Sequence, residues 1–132
     1  MNKQLVLVSH GHFCEGLKMS TEMIMGPQDD IHTVALLPEE GMEDFKQKFL
    51  STVAPLKDYV VFCDLMGGTP ANIISQLIME GQEIELYAGM NMPMVIEFIN
   101  SEMVGVIPDF IRSGVENILY VNEIIASLDE VE

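Results

Sequence analysis

The sequence predicts an α/β domain, built as a three-layer αβα sandwich around a central parallel sheet. Of the 132 residues, 48% are hydrophobic, and a chain of this length buries enough surface for one self-supporting core. Its short apolar runs are continuous, which is typical of strands covered on both faces. Segments with helical spacing separate these runs, and a regular alternation of strand and helix favours right-handed crossovers in a parallel sheet. We expect residues 1–132 to form a single domain.

The predicted sheet has four parallel strands. Three of them are continuous apolar runs, at Leu5–Val8, Val34–Leu37 and Val60–Cys63. The fourth, Ile84–Ala88, alternates more between apolar and polar residues and is expected nearer an edge. In doubly wound domains of this size, strands 1 and 3 commonly lie side by side in the middle. The expected strand order is therefore 2-1-3-4.

Helices are predicted between the strands and after the fourth. The first three should each end at a glycine or before a proline, which are common stop signals, at Gly26–Pro27, before Pro55 and at Gly81. A fourth helix is expected over Pro93–Ser101, opening at Asn91, and a short one over Pro108–Ser113.

The end of the chain contains one more apolar run, Ile118–Val121. It follows the last predicted helix with almost no room for a crossover, so we expect a fifth strand at the sheet edge, running antiparallel. The last four residues, Asp129–Glu132, are expected to form a solvated acidic end.

The charge balance excludes several classes of function. The chain has 6 Lys plus Arg against 21 Asp plus Glu, a net charge of −15, and Arg112 is its single arginine. Nucleic-acid binders and proteins of anionic membrane surfaces need clustered cations, so neither class fits. The apolar run Leu5–Val8 is too short for a secretory signal, and Cys14 and Cys63 form no CxxC pair. We therefore expect a cytoplasmic protein with reduced thiols.

Candidate catalytic residues follow the two central strands. Strand 1 leads into Ser9–His12 and strand 3 into Asp64–Pro70, and ligands of open parallel sheets bind beyond the carboxyl ends of such strands. A carboxylate that accepts a proton from one imidazole nitrogen leaves the other as a nucleophile. His10 is therefore the candidate nucleophile and Asp64 the residue that orients it. Either residue alone is explained as well by capping a strand or a turn; the pair together favours chemistry.

The segment Gly67–Pro70 predicts an anion site beside His10. Gly67 and Gly68 allow the backbone to approach a ligand closely, Thr69 suits the N-cap of the third helix, and Pro70 suits its first turn. Free amides and a partial positive charge at that helix start would hold an anion. An ordinary strand-to-helix turn also needs a glycine and a cap, so the segment alone does not indicate an anion site. It does so only together with His10 and Asp64.

Two kinds of binding site that the sequence lacks restrict the reactions that His10 could carry out. It has no GxxxxGK[ST] loop to hold a nucleotide, and Asp64 has no companion carboxylate for magnesium near the site. A nucleophilic histidine beside an anion site then indicates a phosphoryl group received from another protein, with no metal or organic cofactor required.

Three segments carry a resemblance to a known family. Ser9–Gly11, Asp64–Pro70 and Gly89–Met94 resemble the signatures of the mannose-family enzyme IIA proteins of the bacterial phosphoenolpyruvate-dependent sugar phosphotransferase system, and the resemblance covers nearly the whole chain. It implies that His10 is the phosphorylated histidine and that Asp64 orients it. It also implies that Thr69 holds the phosphoryl group through its hydroxyl and amide, with Gly67 and Gly68 in the same loop.

The resemblance also implies partners. Phosphate would come from the phosphocarrier protein HPr and leave to an enzyme IIB, which serves membrane permease subunits IIC and IID. Family members are cytoplasmic homodimers that exchange their last strand, which would pair Ile118–Val121 across the dimer. A related branch, the multiphosphoryl subunit of dihydroxyacetone kinase, shares the fold and the histidine; the Gly-Gly-Thr-Pro and Asn-Met-Pro-Met segments favour the sugar-uptake branch.

Other interpretations stay open at this point. His10, His12 and Asp64 could bind zinc or manganese in a hydrolase, although His12 is better explained as a loop histidine. Cys14 could act with His10 in acyl transfer, although a small core residue explains it better. The chain could also be an interaction module that is never phosphorylated. Three methionines beside the site would either pack the fourth helix or form an adaptable docking rim: Met90, Met92 and Met94.

Overall fold

A computed structural model describes residues 2–130 of the chain. Its strands are β1 (Gln4–His10), β2 (Ile31–Leu36), β3 (Tyr59–Cys63) and β4 (Glu85–Ala88). Its helices are α1 (Phe13–Met25), α2 (Met42–Val53), α3 (Thr69–Met79), α4 (Met92–Val104), α5 (Phe110–Glu116) and α6 (Val121–Glu130). The four predicted strands and the five helices expected before residue 117 are confirmed. In the part of the chain that is described, no helix is both long and apolar enough to cross a bilayer.

The strands form a parallel sheet in the order β2-β1-β3-β4, which confirms the predicted order. β1 lies between its two neighbours, with Ser9 opposite Ala35 of β2 and Val8 opposite Cys63 of β3. β1 and β3 are thus the two central strands, and their carboxyl ends lie next to each other at one edge of the sheet. Any polar side chains that follow these strands meet there.

The sheet separates two apolar cores. Side chains alternate along β1, so Leu5 and Leu7 face one layer while Val6 and Val8 face the other. The first layer contains α1, α4 and α5, and the second contains α2 and α3. The central strands are buried on both faces, which is why their sequences are continuous apolar runs rather than alternating ones.

The predicted helix ends are confirmed where a cap or a glycine sets them. Asn91 caps α4 by accepting a hydrogen bond from the Met94 amide at 3.1 Å, as its type and position predict. α1 ends at Gly26, whose φ of 85° lies in the region that favours glycine.

The fifth strand predicted at Ile118–Val121 is not present within the single chain. Ile118–Tyr120 have no regular structure and Val121 begins α6. Local hydrogen bonds use backbone groups that a strand would need, because the Ile118 amide donates to Val115 O and the Glu123 amide to Tyr120 O. The signal for the helix is the spacing of four apolar residues, Val121, Ile124, Ile125 and Leu128. Exchange of this segment between two chains stays a prediction.

The acidic end is only partly described. Asp129 is exposed, as expected, whereas Val131 and Glu132 lie outside the described residues.

Candidate active site

His10 and Asp64 lie in direct contact at the carboxyl edge of the sheet. His10 is the last residue of β1, and Asp64 directly follows β3. Asp64 Oδ2 is 2.7 Å from His10 Nδ1 and also accepts a hydrogen bond from the His10 amide at 2.9 Å. When the carboxylate is ionised, Nδ1 must be the donor, which leaves the lone pair on Nε2.

The surroundings of Asp64 keep it ionised. Its side chain is 12% exposed, and Oδ1 accepts a hydrogen bond from the Leu65 amide at 2.9 Å. Partial burial acts to raise the pKa of Asp64, but hydrogen bonds from the His10 amide, the His10 ring and the Leu65 amide outweigh it and hold the pKa below its usual value. The carboxylate is therefore a fixed acceptor for the imidazole at neutral pH.

Gly68 places the other side of the imidazole at the start of α3. A Cβ added to Gly68 would lie 2.5 Å from His10 Cε1 and 3.1 Å from His10 Nε2. The ring thus packs directly on the backbone at this residue, a contact that only glycine allows. Because Gly68 is the N-cap of α3, Nε2 lies close to the helix end whose first-turn amides lack intrahelical partners.

The position of Thr69 corrects one expectation. Gly68, with extended φ and ψ of −87° and 169°, occupies the N-cap, and Thr69 is the first helical residue, followed by Pro70 in the first turn. An N-cap residue needs extended backbone, and the glycine that lets the imidazole approach already supplies it. The Gly67 φ of 89° turns the chain into this position.

His12 does not join this pair. Its Nδ1 is 2.9 Å from Glu15 Oε2 on the surface of α1. His32 lies near the opposite, amino end of the sheet, where its Nε2 is 2.7 Å from Gln4 Oε1. Within residues 2–130, no three His, Cys, Asp or Glu side chains are grouped so that they could hold a metal ion. The structure therefore gives no support to a hydrolytic metal site.

The two cysteines are core residues. Burial raises the pKa of the Cys14 thiol, with smaller opposing effects that include a hydrogen bond involving Ser9. Burial, together with the charge of Asp64, raises the pKa of Cys63 to about 11. Both side chains are fully buried, so neither is a thiolate nucleophile at neutral pH.

The methionines near the site mainly pack α4. Met90 and Met94 are buried in the core layer that contains α1, α4 and α5, and Met92 packs partly against it. Packing, the first of the two roles considered for these residues, therefore explains them.

The site itself is open to solvent. The His10 side chain is 47% exposed, and a cleft of about 490 Å³ between β2 and α2 is lined by His12 and Lys48 but not by His10. Apolar side chains that flank the site are exposed at the first residue of α1, Phe13, and in the turn between β3 and α3, Leu65 and Met66. Sequence reasoning overlooked this rim, whose signal is apolar residues directly after His12 and Asp64. An open site with apolar surroundings suits a reaction with another protein rather than with a small molecule enclosed in a cavity.

Comparison with known proteins identifies the family. The sequence model of the EIIA-man family, described as the PTS system fructose IIA component, where PTS is the phosphotransferase system, matches residues 4–112. The chain belongs to this enzyme IIA family. It is a phosphoryl carrier of a sugar phosphotransferase system, and the relatives that it matches give no support to the hydrolase or dihydroxyacetone kinase alternatives.

Individual relatives agree with this assignment. The enzyme IIA is 31% identical to the sorbose-specific EIIA component of Lacticaseibacillus casei over 96 residues, 71% of this chain and 70% of that protein. It is 30% identical to the mannose-specific EIIAB component of Escherichia coli K12 over 100 residues, 74% of this chain but only 31% of that longer protein. The crystal structure of a phosphotransferase system EIIA from Streptococcus agalactiae superposes with a TM-score of 0.82 at 27% identity, covering 92% of this chain and 98% of that one.

Proposed function

We propose that this enzyme IIA carries its phosphoryl group on Nε2 of His10. The observation that carries the proposal is the 2.7 Å contact between His10 Nδ1 and Asp64 Oδ2, combined with the position of Nε2 beside Gly68 on a side chain that is 47% exposed. Asp64 fixes the ring tautomer and orientation, so the nucleophilic lone pair points toward the start of α3 without any rearrangement.

The transfer step follows from this arrangement. The Nε2 lone pair attacks the phosphorus of the incoming phosphoryl group, a P–N bond forms, and the bond from phosphorus to the donor breaks. The Nδ1 proton stays in the hydrogen bond to Asp64, whose negative charge balances the positive charge that develops on the imidazole. The phosphoryl oxygens would be held by the amides of Gly67, Gly68 and Thr69 and by the Thr69 hydroxyl. Transfer onward reverses these bond changes.

Two proteins would exchange phosphate with this site. HPr is the proposed donor and an enzyme IIB the acceptor, which makes the chain a protein-histidine phosphotransferase that serves permease subunits IIC and IID. The E. coli relative is named an EIIAB component, a name that joins a IIA and a IIB function. The exposed His10 and its apolar rim also favour a protein partner.

We further propose a cytoplasmic homodimer of one-domain chains. The described side chains of α6, Val121 to Asp129, are all exposed, and four apolar residues recur along it at helical spacing. An exposed apolar segment of this kind favours an interface between copies of the chain, with the segment from Ile118 exchanged between the two subunits.

The proposal is tested by incubation with phosphorylated HPr and measurement of the intact mass. We expect a gain of one phosphoryl group that is lost on acid treatment and that is absent in His10→Ala. His12→Ala is the matched control, since it removes a neighbouring histidine that lies outside the pair, and it should gain the phosphoryl group as the wild type does. Phosphate that remains on folded His10→Ala would contradict the proposal.

A further inference from the structure

Ser9 precedes His10 and is buried between β1 and the start of α1. Its side chain points to the layer that contains α1, opposite to that of His10, because successive side chains of a strand alternate. The hydroxyl donates to Gly11 O at 3.0 Å and accepts from the Cys14 amide at 2.8 Å. Ser9 is completely inaccessible to solvent, so it cannot touch a phosphoryl group on His10.

Ser9 replaces the missing cap of α1. The N-cap residue of this helix, His12, makes no capping hydrogen bond with its side chain, because its ring contacts Glu15 instead. The Cys14 amide is one of the first-turn donors that have no partner within the helix. Since Ser9 provides the acceptor from within β1, a single hydroxyl joins the end of the strand to the beginning of the helix.

The same hydroxyl fixes one side of the Gly11 turn. The Gly11 amide donates to Leu36 O of β2 at 2.7 Å, and its carbonyl accepts from Ser9 Oγ. Gly11 has a φ of 58°, a conformation that few other residues adopt. The peptide groups on both sides of Gly11 are therefore held, and the His10 amide donates to Asp64. The backbone on both sides of the His10 Cα is thus fixed, and with it the direction of the Cα–Cβ bond.

We propose that Ser9 is a positioning residue for phosphoryl transfer, which acts through His10. Its hydroxyl keeps the β1–α1 turn in the one conformation that places Nδ1 on Asp64 and Nε2 beside Gly68. The expected effect of Ser9 on the rate of phosphorylation rests on the proposed function of His10. The expected effect of Ser9 on the tautomer of the His10 ring does not.

The test compares Ser9→Ala with Ser9→Thr, which keeps the hydroxyl. Ser9→Ala should slow phosphorylation by phosphorylated HPr about 10- to 100-fold, the effect expected when a reacting group is slightly misplaced. The ¹⁵N spectrum of the imidazole should show the Nδ1–H tautomer of His10 in the wild type and a mixture of tautomers in Ser9→Ala. Ser9→Thr should restore both the rate and the tautomer, which a loss of packing alone would not explain.

A folded Ser9→Ala variant with the wild-type rate and the wild-type tautomer would overturn the inference. If this variant does not fold, Ser9→Cys takes its place, because a thiol is of similar size but is a much weaker hydrogen-bonding group. A folded Ser9→Cys protein with the wild-type rate and tautomer also overturns the inference, whereas a slower rate with mixed tautomers supports it. Should wild-type His10 accept no phosphate, the proposed function fails, and the tautomer comparison still tests Ser9.

Discussion

This enzyme IIA contains two histidines, two residues apart in sequence, that each contact a carboxylate at nearly the same distance. His10 Nδ1 is 2.7 Å from Asp64 and His12 Nδ1 is 2.9 Å from Glu15. The first pair joins the ends of two central strands across 54 positions of sequence, while the second joins the N-cap and the first turn of α1, three positions apart. The Asp64 side chain is 12% exposed and that of Glu15 is 45% exposed.

The comparison indicates that an imidazole is fixed in one orientation and tautomer by a carboxylate that is itself held in place. The length of the hydrogen bond between them does not distinguish the two pairs. Asp64 is anchored by two backbone amides as well as by the ring, so it cannot turn away without losing three hydrogen bonds. Glu15 is a flexible surface side chain, and exposed pairs of this kind contribute about 0–1 kcal/mol. Only the first pair presents an imidazole in a defined tautomer at a fixed place.

Replacing each carboxylate with its neutral amide, in separate variants, should give the largest difference in phosphorylation rate. Asp64→Asn removes the ionised acceptor and leaves the ring tautomer unspecified, so we expect phosphorylation by phosphorylated HPr to slow by about 100-fold or more, the scale of one lost electrostatic contact in an active site. Glu15→Gln, the matched change in the surface pair, should alter this rate less than about twofold. Rapid-quench measurement of phosphoprotein formation checks both variants, and equal rates for the two would mean that the distinction between the pairs is wrong.

Adding one methyl group at Gly68 should have the next largest effect. In Gly68→Ala the new Cβ would meet His10 Cε1 at 2.5 Å, which must displace the ring, and displacement of a reacting group costs about 10- to 100-fold in rate. Gly16→Ala is the control, because a Cβ at Gly16 in α1 has no neighbour within 4 Å. It should leave the rate unchanged and stabilise the helix by up to about 1 kcal/mol. If Gly68→Ala has the wild-type rate and unchanged chemical shifts for the His10 ring, the ring does not pack on Gly68 as described.

His32 should give the smallest effect, because its partner is the neutral amide of Gln4 rather than a carboxylate. Burial, with the nearby charge of Lys18, lowers the pKa of His32 below its usual value, so folding favours the neutral ring. This stability is present above the unfolded pKa of about 6.5 and is lost as the pH falls below it, toward the lower pKa of the folded state. Urea unfolding at several pH values should show a weaker decline for His32→Gln, in which the other two histidines are unchanged. Parallel curves for both proteins would refute this assignment.

The sequence by itself predicted the architecture and the central pair of the site. Continuous apolar runs such as Leu5–Val8 occur where both faces of a strand are covered, and alternation with helices leaves few topologies open. The contact of His10 with Asp64 follows from that topology, because parallel strands end at the same edge of a sheet. The residue types then indicated which chemistry was possible.

Only the tertiary structure determined which groups cap the helices and which conformation the last segment adopts, because several possible partners compete for the same backbone amides and carbonyls. Gly68 rather than Thr69 caps α3 because the backbone conformation there also has to admit the imidazole. Ser9 supplies the cap that His12 leaves unmade, a contact between a strand and a helix that no local pattern announces. The segment after Glu116 forms a turn and a helix within one chain, although four consecutive apolar residues fit a strand equally well. Sequence periodicity reports which face of a segment is apolar, whereas hydrogen-bond partners depend on which distant groups come within about 3 Å, and only the folded chain determines that.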